Sequence, residues 1–214
     1  MITMKQIKKA ELFVTCSFMM ISSLIGCTTG GSNMSAKEKY VQILDSAANQ
    51  QTLSNTTSAE YERMGDRFFS RGDLVKAFLQ YEKALQVDPA NSSVQYKKGL
   101  SLVAGKINED AIKEFQAVLK RDPGYALAYE GLGLAYFQMQ EVKKCEKNFK
   151  KAIELNPKLW KSHNFLGNIY DRHKKYEQAI QKYYAAIALR PDEKILYNNI
   201  GVSYYLAGEY RVDA

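Results

Sequence analysis

Few residues in this chain have the types and spacing that chemistry requires. Two histidines, His163 and His173, and three cysteines, Cys16, Cys27 and Cys145, are its whole complement of soft ligands and strong nucleophiles. No cysteine or carboxylate cluster stands at ligand spacing, so no metal site is expected. Neither a glycine-rich phosphate loop after a strand nor a serine elbow is present. His163 falls where steps of 34 residues find Tyr61, Tyr129 and Tyr197, which makes it a packing residue, and His173 falls in a break between helices. Cys145 takes the place of Ala77, Ala111 and Ala179, where a thiol serves as a small buried hydrophobe. The Tyr183-Tyr184 pair reads as core plus rim. Catalysis therefore finds no foothold, and the chain is not expected to be an enzyme.

The elements that would position these residues are periodic. Between Ala126 and Pro157 the chain carries Tyr129, Leu132-Gly133, Tyr136, Phe149, Ala152 and Pro157. Stepping by 34 residues finds Gly65, Gly99, Gly133, Gly167 and Gly201, and Pro89, Pro123, Pro157 and Pro191. Self-similarity at such a period means stacked units. Tyr129, Leu132, Gly133 and Tyr136 share one face of a first helix, and Cys145, Phe149 and Ala152 one face of a second. The polar break between them is Gln140-Glu141; in the first and last units it reads Gly72-Asp73 and Gly208-Glu209, glycine supplying a left-handed turn residue. Proline closes the second helix because it has no amide hydrogen to continue the ladder. A helical glycine costs about 1 kcal/mol against alanine. Five at one register imply helices that approach too closely for a side chain.

At these residues the chain resembles the tetratricopeptide repeat, a 34-residue helix-turn-helix. The resemblance implies an all-α fold, a right-handed α-solenoid over 58-214, with units 58-91, 92-125, 126-159, 160-193 and a partial 194-214. In the second unit Gln95, Lys98 and Val118 stand where the third has Tyr129, Leu132 and Ala152, so the second is expected to bury fewer apolar groups and to be the softest. The fifth unit breaks off inside its second helix. Either the final helix is a short cap or the sequence is the front part of a longer protein.

The N-terminus is of a different kind. Lys5, Lys8 and Lys9 precede a mostly apolar run, Leu12 to Ile25, that is too short to span a bilayer and suits a secretory signal over residues 1-26. It ends in Leu24-Ile25-Gly26-Cys27, which resembles the lipobox of bacterial lipoproteins. That resemblance implies cleavage before Cys27 and a diacylglycerol on its thiol, the only cofactor-like group expected. An uncleaved anchor helix is the alternative. Both put the repeats outside the cytoplasm and tether them to a membrane, stably if two or three acyl chains are attached. Thr28 after the cysteine, by resemblance to enterobacterial lipoproteins, implies the periplasmic face of the outer membrane. Thr28 to Asn33 reads as a tether, Ser35 to Ala48 as a capping helix with Tyr40, Ile43, Leu44 and Ala47 on one face, and Asn49 to Thr57 as a linker.

Without residues 1-26 the formal charge falls from +7 to +5. Lys143, Lys144, Lys147, Lys150 and Lys151 form its densest group, at the spacing of a solvated helix face; anionic headgroups or an acidic partner are the sharper reading. No motif for nucleic acid accompanies the charge.

In the tetratricopeptide family the first helices line a concave groove through the second, fifth, ninth and twelfth residues of each unit. Carried onto this chain, the resemblance implies a partner-binding groove of Phe69, Tyr96, Leu100, Leu134, Phe137, Asn164, Asn168, Asp171, Asn198, Val202 and Tyr205, with Glu62, Asp66, Val103, Leu127, Glu130, Lys161 and Ile195 beside them. Its middle is apolar and aromatic, one end acidic, the other rich in amides. Such a lining suits a peptide or helix with apolar anchors. Chaperone-binding relatives hold an acidic tail with lysine and asparagine in the first unit, where this chain has Glu62 and Asp66, so that partner is not expected. The groove could instead be covered by the chain's own N-terminal or following segment.

These readings converge on a non-catalytic scaffold or adaptor lipoprotein in the bacterial cell envelope. Its architecture resembles that of repeat lipoproteins in pilus and secretion assembly, of the Tad (Flp) or type IV pilus type. Recruitment of peptidoglycan hydrolases, outer-membrane protein assembly, or a targeting arm for an enzyme domain beyond residue 214 are the alternatives. Self-association through the open end is left open.

Overall fold

A computed structural model of the chain describes residues 56–208. Among them are nine α-helices and no strand: α1 (Ser58–Ser70), α2 (Leu74–Val87), α3 (Ser92–Ala104), α4 (Asn108–Arg121), α5 (Ala126–Gln138), α6 (Val142–Leu155), α7 (Trp160–Arg172), α8 (Tyr176–Leu189) and α9 (Lys194–Leu206). Each odd-numbered helix packs against the even one that follows, and each pair against the next, so contacts run between neighbours along the stack.

The chain enters the stack through a capping box. Thr57 Oγ1 accepts from the Glu60 amide and the Glu60 carboxylate accepts from the Thr57 amide, which satisfies donors that a helix start leaves bare. Within each pair the first helix ends on one geometry. In α1 the Asp73 N–H donates back to Phe68 O and the Gly72 N–H to Phe69 O, the bonds of a Schellman motif. The same two bonds recur after α3, α5 and α7. The motif needs a left-handed residue, and the φ values are +77° at Gly72, +62° at Lys106, +60° at Gln140, +57° at Lys174 and +72° at Gly208. The turn is thus one structure at a fixed register, filled by glycine in two units and by long side chains in three. Second helices stop as expected: Asp88, Asp122, Asn156 and Arg190 have left the helical region, which a following proline disfavours.

The helical glycines report close approach. A Cβ on Gly65 would lie 2.5 Å from the Tyr81 ring, one on Gly99 2.5 Å from Phe115, one on Gly133 2.7 Å from Phe149 and one on Gly167 2.5 Å from Tyr183. Each ring stands sixteen residues after its glycine and is fully or almost fully buried. Phe115 is held from both sides, since a Cβ on Gly131 of the next unit would also meet it at 2.5 Å. Small residues four before and three after each ring (Ala77 and Ala84, Ala111 and Val118, Cys145 and Ala152, Ala179 and Ala186) let the helices close around it, and all eight are buried.

Three apolar clusters, spread over neighbouring units, form the core. The second unit is built differently from the expectation of a merely depleted one. Lys98 is 11% exposed in its side chain, and its ammonium bridges Glu82 on α2 (2.7 Å) and Glu114 on α4 (2.9 Å) while lying over the Phe78 ring. Burial works against the charge, yet the two carboxylates outweigh it and raise the lysine's pKa. Gln95 donates to Glu114 and accepts from Arg121, which also reaches Pro89 O. A charged clasp fills the space where other units put apolar side chains.

Candidate protein-docking face

The first helices α1, α3, α5, α7 and α9 carry the candidate residues, whose roles divide by position. In the middle, apolar residues lend part of their surface to the core and leave part bare. Tyr96 is half-buried, its ring centroid 5.8 Å from Phe115 and 6.0 Å from Tyr125. Leu100 and Leu134 rest on the same cluster. Phe137 meets Phe165 edge-on at 5.0 Å, and Phe165 stacks flat on Phe149 at 5.2 Å. Phe69 is half-buried against the cluster of the first unit.

The ends are less charged than the sequence suggests. Lys97 Nζ lies 2.7 Å from both Glu62 and Asp66, and Asp66 also accepts from the Tyr81 hydroxyl at 2.9 Å. Burial opposes the Lys97 charge, but its bonds to Asp66 and Glu62 prevail and its pKa is raised. The acidic end is therefore a lysine-bridged pair. Glu130 does not face the groove as a free charge: it is 4% exposed and its Oε2 accepts from Ser162 Oγ at 2.7 Å. Burial raises its pKa, against the opposing pull of Ser162 and Lys161.

The amide-rich end departs furthest from expectation. Asn164 is buried, and its oxygen accepts from Asn199 Nδ2 at 2.8 Å. Asn168 Oδ1 accepts from the Tyr183 hydroxyl at 2.5 Å; Asp171 accepts from that hydroxyl at 2.8 Å and from Ser203 Oγ at 2.7 Å. Asn164 and Asp171 seal the seam between the fourth and fifth units and Asn168 ties the two helices of the fourth, rather than standing open to a partner's main chain. Asn198, Val202 and Tyr205 are exposed. Sequence reasoning missed the other halves of these bonds, Lys97, Ser162, Asn199 and Ser203. The one available signal was opposite charge roughly one period apart, as in Lys97 and Asp66, 31 residues apart.

Remaining chemistry is quiet. Cys145 is buried, and burial pushes its thiol up to about 12, which keeps it protonated and unreactive. His163 is buried and its Nε2 meets Pro157 O at 3.0 Å; burial lowers its pKa. His173 caps α7. Among the described residues no group of three or more His, Cys, Asp or Glu could hold a metal ion, and no helix is long and apolar enough to cross a membrane. Three lysines of the dense group on α6 are matched: Lys144 with Glu141, Lys150 with Glu146 and Lys151 with Glu154. Together with Tyr129 and Tyr136 the group lines an open depression of about 940 Å³. Cys27, the signal, the tether, the Ser35 to Ala48 helix and the segment after Gly208 lie outside the described residues.

Comparison with known proteins places matches along the whole stack. The tetratricopeptide repeat matches residues 93–125, 126–159 and 148–181, and the TPR repeat matches 65–105 and 167–208. A crystal structure of MamA is 30% identical, covers 68% of this chain and 85% of its own, and superposes with a TM-score of 0.56. A thermophilic TPR protein of Thermus thermophilus is 19% identical over 71% of this chain and 84% of its own, TM-score 0.64, a likeness of fold alone. Among curated proteins, heat shock protein STI1 of Saccharomyces cerevisiae is 29% identical over 101 residues, 47% of this chain and 17% of that protein. The Hsp70-Hsp90 organizing protein of Triticum aestivum is 24% identical over 165 residues, 77% of this chain and 26% of its own. The chain spans about a sixth to a quarter of the length of these curated relatives.

Proposed function

Because the chain belongs to the tetratricopeptide repeat family, we propose that it is a non-catalytic scaffold that holds a protein partner on its first-helix face, tethered to the cell envelope through a lipid on Cys27. The observation that carries the docking half is the apolar middle of that face. Tyr96, Leu100, Leu134 and Phe137 are each half-buried in a row across two adjacent units, which offers a partner contact area without first having to order these side chains. The bonding of Asn164, Asn168 and Asp171 within the stack means that affinity comes from apolar anchors and shape, not from asparagines gripping a main chain. The lysine bridge over Glu62 and Asp66 offsets one of the two negative charges that would repel an acidic segment at that end. The envelope half rests on the Gly26-Cys27 lipobox and the apolar run before it, and the pilus or secretion setting on the combination of lipobox and repeats.

A photoreactive residue in place of Lys161, which is exposed on α7, tests the reading in the native envelope, with Lys147 on α6 as the control. Capture of a secretin, pilus subunit or assembly factor from Lys161 alone supports the scaffold. Equal capture from both positions, or crosslinks only within the chain, sinks it.

A further inference from the structure

Lys147, in the middle of α6, is surrounded on its helix by its own kind. The residues three and four places away in each direction are Lys143, Lys144, Lys150 and Lys151. Like charges at these spacings destabilise a helix. Glu141, Glu146 and Glu154 take up Lys144, Lys150 and Lys151 at 2.6 to 3.2 Å. Lys143 and Lys147 are both exposed, and among the described residues neither has a carboxylate within ion-pair distance.

The crowding is particular to α6. The same five places hold two lysines on α2, one on α4 and none on α8, with acids at Glu82, Glu109, Asp110 and Glu177. A helix face is kept in water by mixed signs, as on α4, without one sign being concentrated. Lys143 to Lys151 rise about 12 Å along the helix, and with a Debye length of about 8 Å in physiological salt they act on an anion together. This sequence holds no answering acid cluster outside the described residues. Residues 1–55 carry Glu11, Glu38 and Asp45 among five lysines, and residues 209–214 carry Glu209 and Asp213 beside Arg211. A second copy is disfavoured by its own net charge of +7.

We propose that the α6 face rests on anionic phospholipid, with headgroup phosphates meeting Lys143 and Lys147 first. The proposal deepens the envelope half of the function above and rests on that reading's placement of the chain at a bilayer, whether an acyl group on Cys27 or an uncleaved helix holds it there. Clusters of about four to eight basic residues on one helix suffice to recognise an anionic leaflet. The depression the lysines line is broad and open, about 940 Å³, which fits several small headgroups. Tyr129 and Tyr136 share it, and tyrosine favours the headgroup level of a bilayer. Lys144 lies over the Tyr136 ring, its Nζ 5.3 Å from the centroid, so ring and ammonium present themselves together.

The test uses the full-length chain, purified from membranes in detergent and reconstituted into vesicles of phosphatidylcholine alone or with one third phosphatidylglycerol. A photoreactive residue replaces Asn148, in the depression, or Gln116, exposed on α4, and phospholipid adducts are quantified by mass spectrometry. Adducts from Asn148 are expected to be at least tenfold more abundant on the anionic vesicles than on phosphatidylcholine, and at least tenfold more abundant than from Gln116. Lys143→Gln with Lys147→Gln is expected to lose that excess, and Lys143→Arg with Lys147→Arg to keep it. Relief of like charge is expected to make the glutamine variant melt higher than the native chain in detergent, which separates loss of lipid from loss of fold. Equal yields from the two positions, equal yields on the two vesicles, or an unaltered glutamine variant overturns the proposal. So does capture from Asn148, in the native envelope, of an acidic protein in place of phospholipid. Retention of the chain on phosphatidylcholine vesicles reports the anchor separately: its failure with the Asn148 excess intact would remove the anchor and leave the α6 face standing.

Discussion

At the scale of single residues, the same amino acid carries opposite consequences according to what faces it. Gly133→Ala forces a methyl into the Phe149 ring and is expected to lower the melting temperature by several degrees, with about 1–3 kcal/mol lost to overpacking. Gly201→Ala meets no described atom and is expected to raise it, helix propensity favouring alanine by about 1 kcal/mol. Thermal melts of the pair with equal signs would mean that the contact with a ring is not the reason for these glycines. Glu130 gives a pH dependence. Burial raises its pKa above the unfolded value, so its contribution to stability is complete below the ordinary carboxylate range, about 4.3, and is lost as pH rises through the folded value. Glu130→Gln removes that loss and keeps an oxygen for Ser162. Its melting temperature is expected to exceed the native one at pH 7.5, with the gap closing towards pH 4; a gap independent of pH would refute the buried-charge account. The glycine register was legible in the sequence because it repeats. The Glu130–Ser162 bond was not, because it joins residues 32 apart on different helices, where no periodicity within a helix reports it.

At the scale of elements, helices and their pairing were legible because apolar spacing, glycine and proline all point the same way. The turns were only half legible. Gly72 and Gly208 announce a left-handed residue, but Lys106, Gln140 and Lys174 adopt it with no such mark, at a cost of roughly 1–2 kcal/mol each. Gln140→Gly and Lys174→Gly are therefore each expected to stabilise the stack, by about 1 kcal/mol in urea denaturation; a loss at both would show that those side chains are kept for other contacts. The clasp around Lys98 makes a further prediction. Lys98→Met leaves Glu82 and Glu114 facing each other across α3, and should cost about 1–2 kcal/mol, since both acids keep some solvent screening. Amide exchange decides the related question for α3: if the clasp compensates for the missing apolar residues, protection over Ser92–Ala104 equals that of α5, and the expected softness is absent.

At the scale of the whole molecule, anchor and stack are proposed to be separable. Cys27→Ala is expected to leave helicity unchanged and to move the protein from membrane to soluble or uncleaved fractions; unchanged fractionation would refute the lipid. The general plan of the fold could be read from the period alone, since each unit rests only on its neighbours. What the period could not show is that the seams differ. The place six residues into a unit holds Lys97, Gly131, Phe165 or Asn199, and each answers a specific surface in the unit before: the Glu62–Asp66 pair, the Phe115 ring, the Phe149 ring and Asn164. A gene lengthened by copying whole units would keep every glycine opposite its ring, yet the copies could not be shuffled. With the fourth unit moved to follow the first, Phe165 would stand where Lys97 now bridges two carboxylates. The repeats share one ancestry of form, but their order is written once, and growth by duplication is open only where a unit's leading face matches its own trailing one.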